Sequence, residues 1–187
     1  MLNYYSSIKE EKKYSGLIVK EITPVMKLNL RGKSKDFLTT IGKNINMILP
    51  IKANTSSSSD SYTSMWLSPD EWMVVSNNKV DQENNNYEIE KLLFNKISKK
   101  NLGAVTDVSD QFVMINLKGE KIFDLLSTGC PFNFNEFKTK KGAVTQTLLL
   151  QIGVIIHLKE INSVNLFVRR SFYEHLMSWI DDAALRL

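Results

Sequence analysis

Three side chains carry the chain's whole capacity for thiol and imidazole chemistry: Cys130, His157 and His175. A structural zinc site takes four Cys or His ligands, and no CxxC, HxxxH or HExxH spacing occurs. The sequence therefore predicts no metal site. Cys130 lies in "STGCP", after a glycine expected to end a helix and before Pro131, which pushes it towards extended geometry. A nucleophilic cysteine wants a base and a helix N-terminus instead, so Cys130 reads as a small buried thiol at a helix C-terminus. Asp70 and Glu71 in "WLSPDEWMVVS" are the types a general acid–base pair uses. Neighbours on a strand point to opposite faces, however, and Ser68-Pro69-Asp70 has the chemistry of a turn entering a strand. Asp107 and Asp110 in "VTDVSDQ" read as carboxylates that bond backbone amides at a strand end. Arg169 and Arg170 precede the last helix, where an anion could sit; such arginines also serve carboxylates on a partner. No GxGxxG or GxxxxGK[ST] loop is present. The prediction is no catalytic, cofactor-binding or metal residue. The candidates left are interface anchors, Trp66, Trp72, Arg169 and Arg170, whose types dominate binding hot spots.

The elements that position these residues come as a repeat. "LNLRGKSKDFLTTIG" from Leu28 and "INLKGEKIFDLLSTG" from Ile115 align at an offset of 87, matching Asn29 with Asn116, Leu30 with Leu117, Gly32 with Gly119 and Gly42 with Gly129. Asn46 matches Asn133 further on. Each copy predicts an alternating strand, a turn at its first glycine, a short amphipathic helix and a second glycine that ends it. Phe37, Leu38 and Ile41 mark one apolar helix face, and Ile122, Leu125 and Leu126 the other. Extended sequence follows: "EWMVVS" in the first copy, "TQTLLLQIGVIIHL" and "VNLFVRR" in the second. A longer helix closes each copy, over 87–100 and 171–187. The last is expected to start from Ser171 as N-cap with Glu174 in a capping box, and to bury Phe172, Leu176, Trp179, Ile180 and Ala183. This is an α+β plan of two pseudo-repeated ferredoxin-like halves with antiparallel sheets. The expected divisions are a polar segment over 1–23, a first half over 24–103 and a second over 104–187, the halves forming one compact domain. "NTSSSSDS" (54–61) and "NNKVDQENNN" (77–86) are too polar to bury and read as exposed loops. At "WLSPDEW" the expected arrangement is a turn with a tryptophan at either end. Trp72 and Val74 then face one side of a sheet and Met73 and Val75 the other. One tryptophan serves the core and the other is free for a partner.

At 187 residues the chain is long enough to bury a core without disulfides. A lone cysteine allows no internal bridge and fits a reducing compartment. No apolar leader opens the chain and no run approaches the ~18 apolar residues of a membrane span, so a cytoplasmic location with no membrane partner is expected. The net charge of +4 raises nucleic acid as a partner. The lysines are scattered and no aromatics interleave with them as a stacking platform needs, so none is predicted.

Six stretches in order, "LNLRG", "MWLSPDEWMVVS", "VTDVSDQFVMINLKG", "LLSTGCPFNF", "TQTLLL" and "LFVRRSFYEHLMSWIDDAA", resemble the gamma subunits of heterotetrameric sarcosine oxidases from about Pro24 to the C-terminus. The serine- and asparagine-rich loops lie outside the resemblance. It implies a fold similar to the folate-binding domain of the glycine-cleavage aminomethyltransferase. It also implies a complex of alpha, beta, gamma and delta chains that demethylates sarcosine oxidatively, yielding 5,10-methylenetetrahydrofolate when tetrahydrofolate is present. FAD, FMN, NAD and zinc are then held on other subunits and none on this chain, which would be non-catalytic and contact alpha. Two further readings stay open: an independent folate- or small-ligand-binding protein, and the equivalent subunit of a related N-methyl amino acid dehydrogenase such as N-methylglutamate dehydrogenase.

Overall fold

A computed structural model describes residues 11–22, 25–78 and 88–187. In chain order, the elements among them are β1 (Lys12–Tyr14), β2 (Leu17–Glu21), β3 (Lys27–Arg31), α1 (Lys35–Ile45), β4 (Ser56–Ser58), β5 (Tyr62–Ser68), β6 (Glu71–Ser76) and α2 (Glu88–Lys96). There follow β7 (Ala104–Asp107), β8 (Phe112–Lys118), α3 (Ile122–Gly129), β9 (Val144–Leu149), β10 (Ile152–Glu160), β11 (Ser163–Arg169) and α4 (Tyr173–Ala184). The class is α+β with two antiparallel sheets. The chain packs as two units, one of residues 24–110 and one of residues 1–23 with 111–187.

The 24–110 unit holds the sheet β4-β5-β6-β3-β7. Its core follows from strand alternation. Leu28 and Leu30 of β3, with Trp72 and Val74 of β6, join Phe37, Ile41 and Ile45 of α1 and Leu93 beyond them. Met73 and Val75 are buried outside that cluster. α1 starts where Ser34 Oγ accepts the Phe37 N–H at 3.0 Å, and Asp36 in the first turn suits the helix dipole. The helix does not end at Gly42 as expected. It runs to Ile45, and Asn46 takes the left-handed turn at φ 49. Asn tolerates that region, and the Met47 N–H closes back on the Gly42 carbonyl at 3.1 Å. Gly32 is required by packing. A Cβ there would meet the Phe37 ring at 2.6 Å. The expected helix over 87–100 is α2 followed by a tighter turn, Ser98–Lys100; Tyr87 and most of the asparagine-rich loop lie outside the described residues.

The other unit holds the sheet β1-β2-β8-β11-β10-β9. Val113, Ile115 and Leu117 of β8, Val164, Leu166 and Val168 of β11 and Val154, Ile156 and Leu158 of β10 form the floor of one cluster. Leu125, Leu126, Leu176 and Ile180 of α3 and α4 belong to the same cluster. Here the repeat's first glycine has a different cause. Gly119 has φ 137, and a Cβ on it would lie 2.1 Å from the Gly16 carbonyl oxygen. The extended stretch expected after α3 is a hairpin, turning at Leu150 and Gln151 with φ 51 and 65. Ser171 does not cap α4. It sits in a short turn, Arg170–Phe172, and no side chain caps the helix start. Tyr173 and Met177 are buried where Phe172 was expected, and Phe172 faces solvent.

Two expected boundaries move. Lys12–Tyr14 and Leu17–Glu21 are strands, not a polar tail, and β2 pairs with β8. Leu17, Val19 and Glu21 alternate inwards within sequence whose composition is polar. Lys12 Nζ and Tyr14 Oη bind the two Asp181 carboxylate oxygens at 2.5 and 2.6 Å, tying the start of the chain to α4. Residues 104–107 pair with β3, so the division falls after Asp110, not after Leu102-Gly103.

Two buried polar groups give tests. Ser64 is fully buried, and its hydroxyl finds no partner among the described residues. An unmade hydrogen bond costs its group's desolvation, so Ser64→Ala should leave the denaturation midpoint unchanged or raise it, by up to about 1 kcal/mol. A loss larger than that would mean the hydroxyl is bonded. His157 on β10 is buried, and burial followed by the nearby Lys159 charge lowers its pKa from 6.5 to about 4. The unfolded chain thus binds a proton first. Stability is intact above pH 6.5 and declines as pH falls towards 4, by at most about 3 kcal/mol from this group. Melting curves at pH 7 and 4.5 should show a smaller drop for His157→Gln than for the native chain; equal drops would remove His157 as the cause.

Candidate functional site

The tryptophan turn is built from β5 and β6. Pro69 and Asp70 join them as a two-residue turn. Tight hairpins favour positive φ at both turn positions, which proline cannot adopt. The mismatch is taken up by a register shift: Trp66 faces Trp72, whereas Ser68 faces Glu71. Trp66 and Trp72 are thereby cross-strand neighbours. Trp72 is the core residue, 3% exposed, with its ring centroid 6.0 Å from that of Phe37. Its indole N–H donates to the Pro50 carbonyl at 2.8 Å. Trp66 is half-buried beside the same cluster. Trp72 therefore offers no surface to a partner, because the sheet face that carries it is closed by α1.

The acids beside it are engaged. Ser68 Oγ donates to Asp70 Oδ1 at 2.8 Å, and this bond, then the Lys33 and Arg31 charges, lowers the Asp70 pKa. Arg31 lies 3.9 Å from Asp70 and 3.6 Å from Glu71, and Asn29 Nδ2 donates to Glu71 Oε1 at 2.7 Å. The pair forms an ion cluster with Arg31 at the end of β3. Asp107 Oδ1 accepts the Ser109 N–H at 2.9 Å, the backbone role expected of it.

Arg169 and Arg170 are exposed at the end of β11. The Arg170 N–H donates to the Gln111 carbonyl at 2.9 Å, which fixes the turn. Exposed Phe172 stands two residues on. Cys130 is buried at the end of α3 in extended geometry, its Sγ 3.6 Å from Thr147 Oγ1. Cys130 ends α3, His157 lies within β10 and His175 lies on the exposed side of α4. Among the described residues no three of His, Cys, Asp and Glu converge as metal ligands would. Sequence reasoning passed over Ile48 and Ile51, both exposed in the loop after α1. The signal available was "ILPI", an apolar run stranded between a helix and a serine-rich loop.

The family model for the sarcosine oxidase gamma subunit matches residues 31–186. The chain belongs to that family. No curated protein matches it. Among solved structures, a chain of the heterotetrameric sarcosine oxidase from Corynebacterium sp. U-96, in complex with pyrrole 2-carboxylate, superposes with a TM-score of 0.79 at 19% identity. The match covers 92% of this chain and 86% of that one. At that identity the likeness concerns the fold. The aspartate kinase of Clostridium acetobutylicum matches with a TM-score of 0.43 at 12% identity, over 93% of this chain and 35% of that one. Among the described residues no helix is long and apolar enough to cross a membrane.

The anchoring of the tryptophan turn predicts unequal costs. Trp72→Phe keeps a ring in the core and removes the only donor to the Pro50 carbonyl among the described hydrogen bonds. It should cost about 1–3 kcal/mol in urea denaturation, and Trp66→Phe should cost less. Equal costs would show that the indole N–H does not hold the loop.

Proposed function

We propose that this chain is the non-catalytic gamma subunit of a heterotetrameric sarcosine oxidase, supporting assembly of the flavin-containing complex that demethylates sarcosine oxidatively. The observation that carries the reading is the family match over residues 31–186. The shared fold over most of both chains supports it. Within the reading, FAD, FMN, NAD and zinc belong to the other subunits, alpha is the direct neighbour, and the complex works in the cytoplasm on one-carbon units that pass to tetrahydrofolate. The two units are then divergent ferredoxin-like halves of the kind found in the folate-binding domain of the aminomethyltransferase. What supports a non-catalytic role is how the ionisable candidates are used. Asp70 and Glu71 serve Arg31, Asp107 serves a backbone amide, and His157 is held neutral inside the protein. A fold does not carry chemistry without a site.

Purification of the tagged chain from its native host tests the proposal. Three further chains in equal amount and the absorbance of flavin in the eluate are expected, with sarcosine-dependent peroxide formation by the complex. A chain that elutes alone and colourless would overturn the subunit reading, and activity on a different N-methyl amino acid would reassign the complex.

A further inference from the structure

The loop after α1 holds the two most exposed large apolar side chains among the described residues, Ile48 at 85% and Ile51 at 81%. Three hydrogen bonds fix the backbone around them. The Met47 N–H closes on Gly42 O at 3.1 Å, Ser57 Oγ donates to Ile48 O at 2.7 Å, and the Trp72 indole donates to Pro50 O at 2.8 Å. Met47 and Leu49 alternate with the isoleucines and are buried. Turning Ile48 or Ile51 inwards would therefore expel a core residue and break an anchored carbonyl. The pair is a rigid apolar projection, not a flexible loop that happens to face water. Rigidity matters because an ordered anchor loses little conformational entropy on binding.

Three lysines stand beside it. Lys43 in the last turn of α1, Lys52 next to Ile51, and Lys96, whose Nζ donates to Asn44 Oδ1 at 2.7 Å, are exposed, and none forms an ion pair among the described residues. The surface thus joins two apolar side chains to three lysines that form no ion pair among the described residues. We propose that this loop docks on another subunit of the assembly, Ile48 and Ile51 entering an apolar socket edged by carboxylates. The inference rests on the subunit reading above and adds where the contact is made. Two isoleucines are a small part of a standard interface of ~800 Å² per partner. They are its anchoring centre, with the lysines steering association.

The test is co-expression of all chains of the complex with the tag on another subunit. The native chain should be retained, and loss of the native chain would sink the subunit reading whatever the loop does. Given retention, Ile48→Asp with Ile51→Asp should cut the retained amount roughly tenfold or more. The melting temperature of the isolated chain should stay unchanged, since both side chains already face water. Full retention of a normally melting double variant would overturn the docking proposal. If that variant melts early, Lys43→Glu with Lys52→Glu replaces it. This charge variant should weaken retention at low salt and differ little from the native chain at high salt; retention equal at low salt would overturn the proposal too. Self-association of the native chain in sedimentation, abolished by Ile48→Asp, would assign the loop to a second copy instead and equally overturn it.

Discussion

A strand that stops at a glycine so that the next helix can fold back over it is the constraint on which both units depend. In the 24–110 unit the space of the missing Cβ is filled by the Phe37 ring. A Cβ at Gly32 or Gly103 would meet that ring at 2.6 or 2.8 Å. Phe37 is fully buried and reaches Trp72, which reaches the Pro50 carbonyl, so one absent methyl group just after β3 supports the whole course from α1 to the following loop. In the other unit the corresponding glycine serves a backbone contact with Gly16, and the helix behind it is set by Ile122 and Leu125. The same residue type at the same repeat position answers two steric demands.

Much of this was legible because strand alternation and glycine spacing are local signals. Trp72 and Val74 against Met73 and Val75, and Ile115 and Leu117 against Met114 and Asn116, follow from a period of two. The repeat's asparagines fall on the outward period of their strands. Each bonds a side chain on a neighbouring strand, Asn29 to Glu71 and Asn116 to Asn165 at 2.8 Å. What the sequence hid was non-local. The strand Leu17–Glu21 is written in polar company, and its partner β8 lies about a hundred residues away. The hairpin at Leu150 and Gln151 has none of the Asn-Gly chemistry that marks such turns. Two non-glycine residues at positive φ are costly. Tertiary contacts offset that cost: the Leu150 N–H donates to Gly129 O at 3.0 Å, and its side chain, with that of Trp179, lies where a Cβ on Gly129 would be. Gly129 thus makes room for a turn and a tryptophan, a demand that its spacing from Gly42 does not reveal.

The candidate interface divides along the same line. Hot-spot types were readable, but exposure was not. Trp72 belongs to the core because it shares β6's inner period, whereas Trp66, its direct partner on β5, is only half-buried. Phe172 was placed inside by helical periodicity. The helix begins one residue later, after a tighter turn, and its phase puts Tyr173 inside, where Tyr173 Oη donates to buried Glu21 at 2.7 Å. A shift of one residue at a helix start is enough to exchange a core aromatic for a surface one.

Several ionisable groups among the described residues are spent on holding strands and termini together, and that shapes what the surface is free to do. Tyr14 and Lys12 share Asp181, Lys27 Nζ donates to two backbone carbonyls from a buried position, and Arg31 bridges two acids. Each of these would lose its structural bond if it had to bind substrate or move a proton. The loop at Ile48 and Ile51 has the opposite economy: three hydrogen bonds anchor its backbone inside the unit, Met47 and Leu49 are buried, and the two isoleucine side chains face outwards. Exposed isoleucines forgo burial that the fold could have supplied by placing polar residues there instead. In a subunit, that burial is recovered on assembly. Under the docking proposal the division of labour is internal polar groups for the fold and external apolar groups for the complex, the reverse of an active site, where polar groups must be left available at the surface of a cleft.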